Sequence, residues 1–158
     1  MKKVFQVLNK MVKDGIIQGY AIGGAVGVMF FTEPFQTSDL DVFVYPEVAS
    51  SGLVHFGDLY RYLADLGYRK FSGQCLIIEG VPVDFIPPDA LADEAMEHSV
   101  VKTFEGLRLK VFRPEYLLAI ALKVRRTKDL RKADLLLEQA PLDEELLRKI
   151  LRKYRIRR

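Results

Sequence analysis

Cysteine is almost missing from this chain. Cys75 is the only one, so no internal disulfide can form and no cysteine cluster can hold a metal. It lies in Gln74-Cys75-Leu76-Ile77-Ile78, an apolar, strand-like run that predicts a small buried side chain rather than a nucleophile. Histidine is scarce as well. His55 and His98 are far apart, with no ligand-like spacing, which disfavours a zinc site or a Cys/His dyad. No apolar run approaches the roughly 20 residues needed to cross a bilayer. The start, Met1-Lys2-Lys3, is basic, but Asn9, Lys10, Lys13 and Asp14 interrupt the unbroken apolar stretch that a signal peptide needs. These absences lead us to expect a soluble, cytoplasmic protein with no membrane partner. Repeats and low-complexity linkers are also lacking.

What is present suits one domain over residues 1–158. The chain is 49% hydrophobic and 28% charged, enough apolar material for a sizeable core. Its net charge of +3 is unevenly placed. Residues 148–158 hold Arg148, Lys149, Arg152, Lys153, Arg155, Arg157 and Arg158 and no acid. Without those seven, 17 basic residues face 21 acidic ones. Such a run is either a solvated helix face or a surface for an anionic partner such as RNA. At helical spacing, Arg148, Arg152 and Arg155 form one row, and Lys149 and Lys153 form another beside it.

Apolar spacing places an amphipathic helix over residues 2–14, stopped by Asp14-Gly15. A short strand at Tyr20–Ile22 runs into Gly23-Gly24, with a buried helical turn or two at 25–31. Leu40–Tyr45 reads as a strand ended by Pro46. Residues 54–66 read as a helix, with strands at 68–71, 74–79 and 81–86; Glu79-Gly80 makes a tight turn between the last two. Asp89 caps a short acidic helix. Glu105-Gly106 joins two further strands, and everything from Pro114 onward is helical. The pattern is α+β: a short mixed β-sheet core over about 15–112, flanked by helices, and a helical C-terminal third over about 113–158.

The chemistry is carried by acids. In a strand, side chains alternate between faces, so Asp39 and Asp41 project together while Leu40 and Val42 turn to the core. Two neighbouring carboxylates repel unless a cation lies between them, and hard divalent cations prefer such oxygen donors. A third acid, Asp84, stands in the apolar strand Val81–Ile86, where a lone carboxylate is costly. If that strand lies beside 40–45, three carboxylates converge and can hold two divalent ions for in-line phosphoryl transfer. Gly23-Gly24, after a strand and before a helix, lets a phosphate approach the backbone. Ser38 offers a hydroxyl to a phosphate oxygen.

Gly23-Gly24, Ser38-Asp39-Leu40-Asp41-Val42 and Val83-Asp84-Phe85 together resemble the signature of the polymerase-beta-type nucleotidyltransferase superfamily. The resemblance covers roughly residues 18–138. It implies magnesium as cofactor (two ions, with manganese possible), an NTP substrate such as ATP, and Asp39, Asp41 and Asp84 as metal-binding and catalytic residues. The C-terminal third resembles the abortive-infection, toxin-type branch, which carries a helical Lys and then a basic segment; here these match Lys123, Arg126, Lys128-Asp129 and Asp134. On that match Lys123 and Lys128 join Gly23, Gly24 and Ser38 as nucleotide-binding candidates, and a cognate protein partner is implied as in toxin–antitoxin pairs. The chain departs from minimal members in having Gly24 and an apolar Ala25–Phe31 where they carry Gly-Ser and an early Arg.

The expected activity is transfer of an NMP from an NTP to an acceptor hydroxyl, on RNA, protein or a small molecule, with release of pyrophosphate. The acidic stretch Asp89, Asp93, Glu94 and Glu97 is either a receptor for a cationic small molecule or a capped surface helix. The competing reading is a nucleotide- or RNA-binding partner module without turnover.

Overall fold

The computed structural model describes residues 1–158. In chain order the elements are α1 (Lys2–Lys13), β1 (Tyr20–Ile22), α2 (Gly24–Met29), β2 (Leu40–Val44), β3 (Glu47–Val48), β4 (Val54–His55), α3 (Gly57–Asp65), β5 (Phe71–Ser72), β6 (Cys75–Ile78), β7 (Val81–Ile86), α4 (Ala90–Glu97), β8 (Val100–Phe104), β9 (Leu107–Val111), α5 (Pro114–Val124), α6 (Thr127–Gln139) and α7 (Glu144–Lys153). Seven strands form one mixed sheet in the order β5-β6-β7-β2-β1-β9-β8. The α+β expectation holds.

Strand alternation sorts the sheet into two faces. Leu40, Val42 and Val44 of β2, with Val83 and Phe85 of β7, pack against Val4, Phe5, Leu8 and Met11 of α1 and Leu59 and Leu63 of α3. On the other side, Ala21, Val28 and Phe112 pack with Tyr116, Leu117 and Leu118 of α5, Leu136 of α6 and Leu147 and Ile150 of α7. Burying each such side chain contributes about 1.5–3 kcal/mol. The sheet is thus sandwiched between two helical layers, each with its own core.

Local signals act where expected. Asp89 accepts the Ala92 N–H at 2.9 Å and caps α4 as read, and α7 gains a further cap where Asp143 accepts the Leu146 N–H at 3.0 Å. Pro114 begins α5. Cys75 is buried, as its apolar run predicted, and burial raises its thiol pKa. Two boundaries differ from expectation. Residues 54–55 pair with 47–48 as a small hairpin, so the helix expected from Val54 begins at Gly57. His55 Nδ1 accepts the Gly57 N–H at 3.1 Å, which ties the hairpin to the helix start. The strand expected at 68–71 begins only at Phe71, because Tyr68 donates its N–H back to Leu63 and closes the end of α3. No helix is long and apolar enough to cross a membrane.

Candidate active site

The register of two parallel strands builds the acidic centre. β2 and β7 pair with Asp41 opposite Asp84 and Leu40 opposite Val83. Asp41 and Asp84 are therefore neighbours on one face, and Asp39, two residues before Asp41, shares it. All three line a cleft of about 810 Å³ with Ser38, Gln74 and Ile86. The opposite wall is basic: Arg126, Lys128, Arg131 and Lys132, on and just before α6.

Burial, and then the charges of Asp39 and Asp84, push the Asp41 carboxyl from 3.8 up to about 6. Lys132 and Lys128 work against that rise. Asp84 is also raised, mainly by burial, although a hydrogen bond from Gln74 opposes it. Gln74 Nε2 donates to Asp84 Oδ2 at 2.6 Å and holds one of its oxygens. The three carboxylates share a face and a cleft but are not drawn to the spacing of a formed metal cluster.

Gly23 and Gly24 have a steric role that the sequence did not reveal. Gly24 has φ +54°, and a Cβ there would lie 1.8 Å from Asp41 Oδ2. The Asp41 carboxylate occupies the space a side chain would take. A Cβ on Gly23 would meet the Phe43 ring at 2.6 Å. The pair thus makes room for β2's outward side chains before it offers anything to a phosphate. Gly24 and Asp41 also line a smaller, mostly apolar pocket of about 190 Å³, walled by Val28, Phe43, Leu117 and Val124.

One buried acid organises the basic wall. Asp129, 2% exposed, receives Arg126 Nε at 2.7 Å and Lys132 Nζ at 2.8 Å. Burial alone would raise its pKa, but these two hydrogen bonds outweigh it and hold the carboxyl below its usual range. Arg126 and Lys132 are thereby fixed facing the cleft, a geometry long flexible side chains do not keep unaided.

Of the sequence candidates, Asp39, Asp41, Asp84, Ser38 and Lys128 meet at the cleft, and Gly24 borders it through Asp41. Gly23 lies behind Phe43. Lys123 does not line the cleft; it pairs with Asp89 at 3.0 Å and faces a separate groove with Arg125 and Arg155. The reason is helical phase: α5 stops at Val124 and the chain turns left-handed at Arg125. Lys123 and the α6 cations therefore lie on opposite sides of the turn. Asp134 is exposed and lines none of these cavities.

Sequence reasoning missed Gln74, Arg131 and Lys132. The last two follow Lys128 at helical spacings of three and four, which places all three on one face. Gln74 carried no such signal: the register that pairs Leu76 with Val83 sets Cys75 opposite Asp84, and Gln74 reaches the carboxylate from the turn between β5 and β6.

No protein-family model matches the chain, and no curated protein matches it. Solved structures do. An antigenic nucleotidyltransferase-like protein from Paracoccidioides brasiliensis aligns with a TM-score of 0.57 at 14% identity, over 97% of this chain and 87% of that one. The antibiotic-resistance factor ANT(2″)-Ia, in complex with adenylyl-2″-tobramycin, aligns with a TM-score of 0.61 at 13% identity, over 96% and 95%. The Megavirus polyadenylate synthase aligns with a TM-score of 0.51 at 14% identity, over 88% of this chain and 32% of that one. The fold is that of nucleotidyltransferases.

Proposed function

We propose that this chain is a magnesium-dependent nucleotidyltransferase that moves an NMP from an NTP to an acceptor hydroxyl. The observation that carries the reading is the pairing of Asp41 with Asp84 across parallel strands, with Asp39 beside them and four cations opposite in one cleft. ANT(2″)-Ia, which shares the fold, was solved with an adenylylated product, and this supports ATP as the donor.

The donor set fits a hard divalent cation. Asp39, Asp41 and Asp84 offer only carboxylate oxygens, and burial followed by like charge disfavours ionisation of Asp41 and Asp84 until a cation compensates it. These three would hold magnesium, or manganese, which supplies charge neutralisation at the triphosphate and acidifies the acceptor hydroxyl.

The protein's own groups do the rest. Arg126 and Lys132, fixed by Asp129, grip the triphosphate with Lys128 and Arg131, and Ser38 donates its hydroxyl to a phosphate oxygen. Asp84, oriented by Gln74, takes the proton of the acceptor hydroxyl. The acceptor oxygen forms its bond to the α-phosphorus while the bond from that phosphorus to the bridging oxygen breaks. Pyrophosphate leaves with its negative charge held by the basic wall. Within the acidic stretch Asp89 pairs with Lys123, Asp93 accepts from Tyr45 and Glu94 pairs with Lys153, which leaves Glu97 the least engaged acid toward a cationic acceptor.

The test is incubation with each labelled NTP, magnesium and a pool of cellular RNA and protein, followed by identification of the labelled species. Label should transfer with the wild type and vanish with Asp39→Asn and with Asp84→Asn. NTP binding with no transfer to any acceptor would move the chain to the binding-module reading.

A further inference from the structure

Two helices end on arginine in a backbone conformation that usually falls to glycine. Arg125, at the end of α5, has φ +58°, and Arg155, just beyond α7, has φ +53°. A left-handed residue with a Cβ is strained, and helix ends relieve the strain with Gly or Asn. Two other helix ends in this chain do so, at Gly15 and Gly67, which follow α1 and α3. Glu79 and Glu105 take the conformation only inside hairpin turns.

Both strained arginines line one groove of about 490 Å³, with Lys123 and Arg157 over a floor of Leu122, Tyr154 and Ile156. Arg125 Nη1 donates to the Arg157 carbonyl at 2.8 Å, so the end of α5 fixes the C-terminal segment that forms the far wall. Lys123 is paired with Asp89, while Arg125, Arg155 and Arg157 have no carboxylate partner.

That contrast separates the groove from the lysines and the last arginine of the basic terminus. Lys149 pairs with Glu145, Lys153 with Glu94 and Arg158 with Glu144. The lysine row seen in the sequence is therefore neutralised, and Arg155 has left the helix that would have aligned it with Arg152. Arg148 and Arg152 also lack a carboxylate partner but lie along α7, whereas the unpaired Arg125, Arg155 and Arg157 share one groove.

The groove also adjoins the cleft. Val124 lines the apolar pocket beside Asp41, Arg125 lines the groove and Arg126 lines the cleft. Consecutive Cα atoms are about 3.8 Å apart, so only the α5–α6 turn separates the two sites.

We propose that this groove binds a backbone phosphate of a single-stranded polynucleotide whose terminal hydroxyl enters the cleft. Guanidinium forks match phosphate oxygens. Such contacts position a strand without reading its bases. That the strand is the acceptor rests on the transfer reading above; the groove and its charge do not.

Arg155→Gly is the decisive variant, since it relieves backbone strain while removing a charge. It should melt no lower than wild type. Its affinity for a labelled single-stranded RNA should fall about tenfold, and the slope of log affinity against log salt should flatten by about 0.7. ATP affinity should be unchanged. Arg157→Gln should act in the same direction. A DNA strand of the same sequence should bind as the RNA does, because only phosphates are engaged. Wild-type strand affinity and salt slope in both variants would overturn the proposal. So would a DNA strand that fails to bind, or complete displacement of the RNA by equimolar inorganic phosphate, which would leave a small-anion site. The two readings fail separately. Groove-dependent strand binding with no labelled acceptor from any NTP refutes transfer alone, and transfer with strand affinity blind to both variants refutes the groove alone.

Discussion

The two walls of the cleft handle charge in opposite ways. On the sheet wall, Asp39, Asp41 and Asp84 are gathered with no internal counterion, and the Asp41 carboxyl is driven up to about 6. On the helical wall, cations are gathered around a buried acid, and Asp129 is held below its usual range by Arg126 and Lys132. On the helical wall Arg126 and Lys132 have their counterion as folded, and only Lys128 and Arg131 are left to a ligand. The sheet wall is electrostatically unfinished, a state that costs stability and that a ligand cation would relieve. Stability and chemistry therefore pull apart on one wall and together on the other.

Asp41→Asn should break this contrast most strongly. Transfer should be lost, yet without divalent cation the variant should be more stable than wild type by about 2–3 kcal/mol at neutral pH, from a shift of about two pKa units. The sign follows from proton uptake. A carboxyl whose folded pKa lies above its unfolded value binds more protons when folded, so wild-type stability falls as pH rises from about 4 to about 6 and is then level. Chemical denaturation of both proteins across that range, in chelator, checks it. Equal pH profiles would show that burial and its neighbours do not raise the Asp41 carboxyl. Saturating magnesium should reverse the ranking, since only the wild type gains a bound cation.

Asp129→Asn probes the other wall and should act with the opposite sign, destabilising by about 2 kcal/mol through loss of two charge-assisted hydrogen bonds. ATP affinity should fall with it, because Arg126 and Lys132 lose their anchor. A variant that melts lower but binds ATP normally would show that the two cations reach the cleft without Asp129.

Gly24→Ala should cost about 1–2 kcal/mol from the left-handed backbone and, by displacing Asp41, should depress transfer further than that destabilisation explains. Measuring activity at a temperature where the variant is fully folded separates the two effects. The smallest effect is expected from Gln74→Leu. Stability should change by no more than about 0.5 kcal/mol at this exposed site, while kcat should fall with little change in the KM for ATP, because Asp84 loses its orienting donor. An unchanged kcat would remove Gln74 from the site.

Much of the sheet wall was legible before any fold was known. Strand periodicity alone puts Asp39 and Asp41 on one face, and an acid inside Val81–Ile86 demands a partner. The cap at Asp89, Pro114 at a helix start and the Glu79-Gly80 turn were readable for the same reason: each acts through backbone groups only a few residues away. The hairpin at 47–55 was not, since two-residue strands carry no period to detect.

The helical wall was readable only in part. Lys128 and Asp129 were in view, but Lys123 was grouped with them because nothing local reveals that the chain turns left-handed at Arg125. The pairing within the basic terminus was hidden in the same way: Glu94 is far from Lys153 in sequence and becomes its partner only when α4 meets α7. By itself the sequence determined which residues share a face within one strand or helix, because that depends on a repeat of two or 3.6 residues. Tertiary structure alone decided that β7 lies beside β2, that Asp129 rather than solvent receives Arg126 and Lys132, and which arginines are left unpaired. Those outcomes depend on how separate elements pack to bury apolar surface, and no local spacing encodes that.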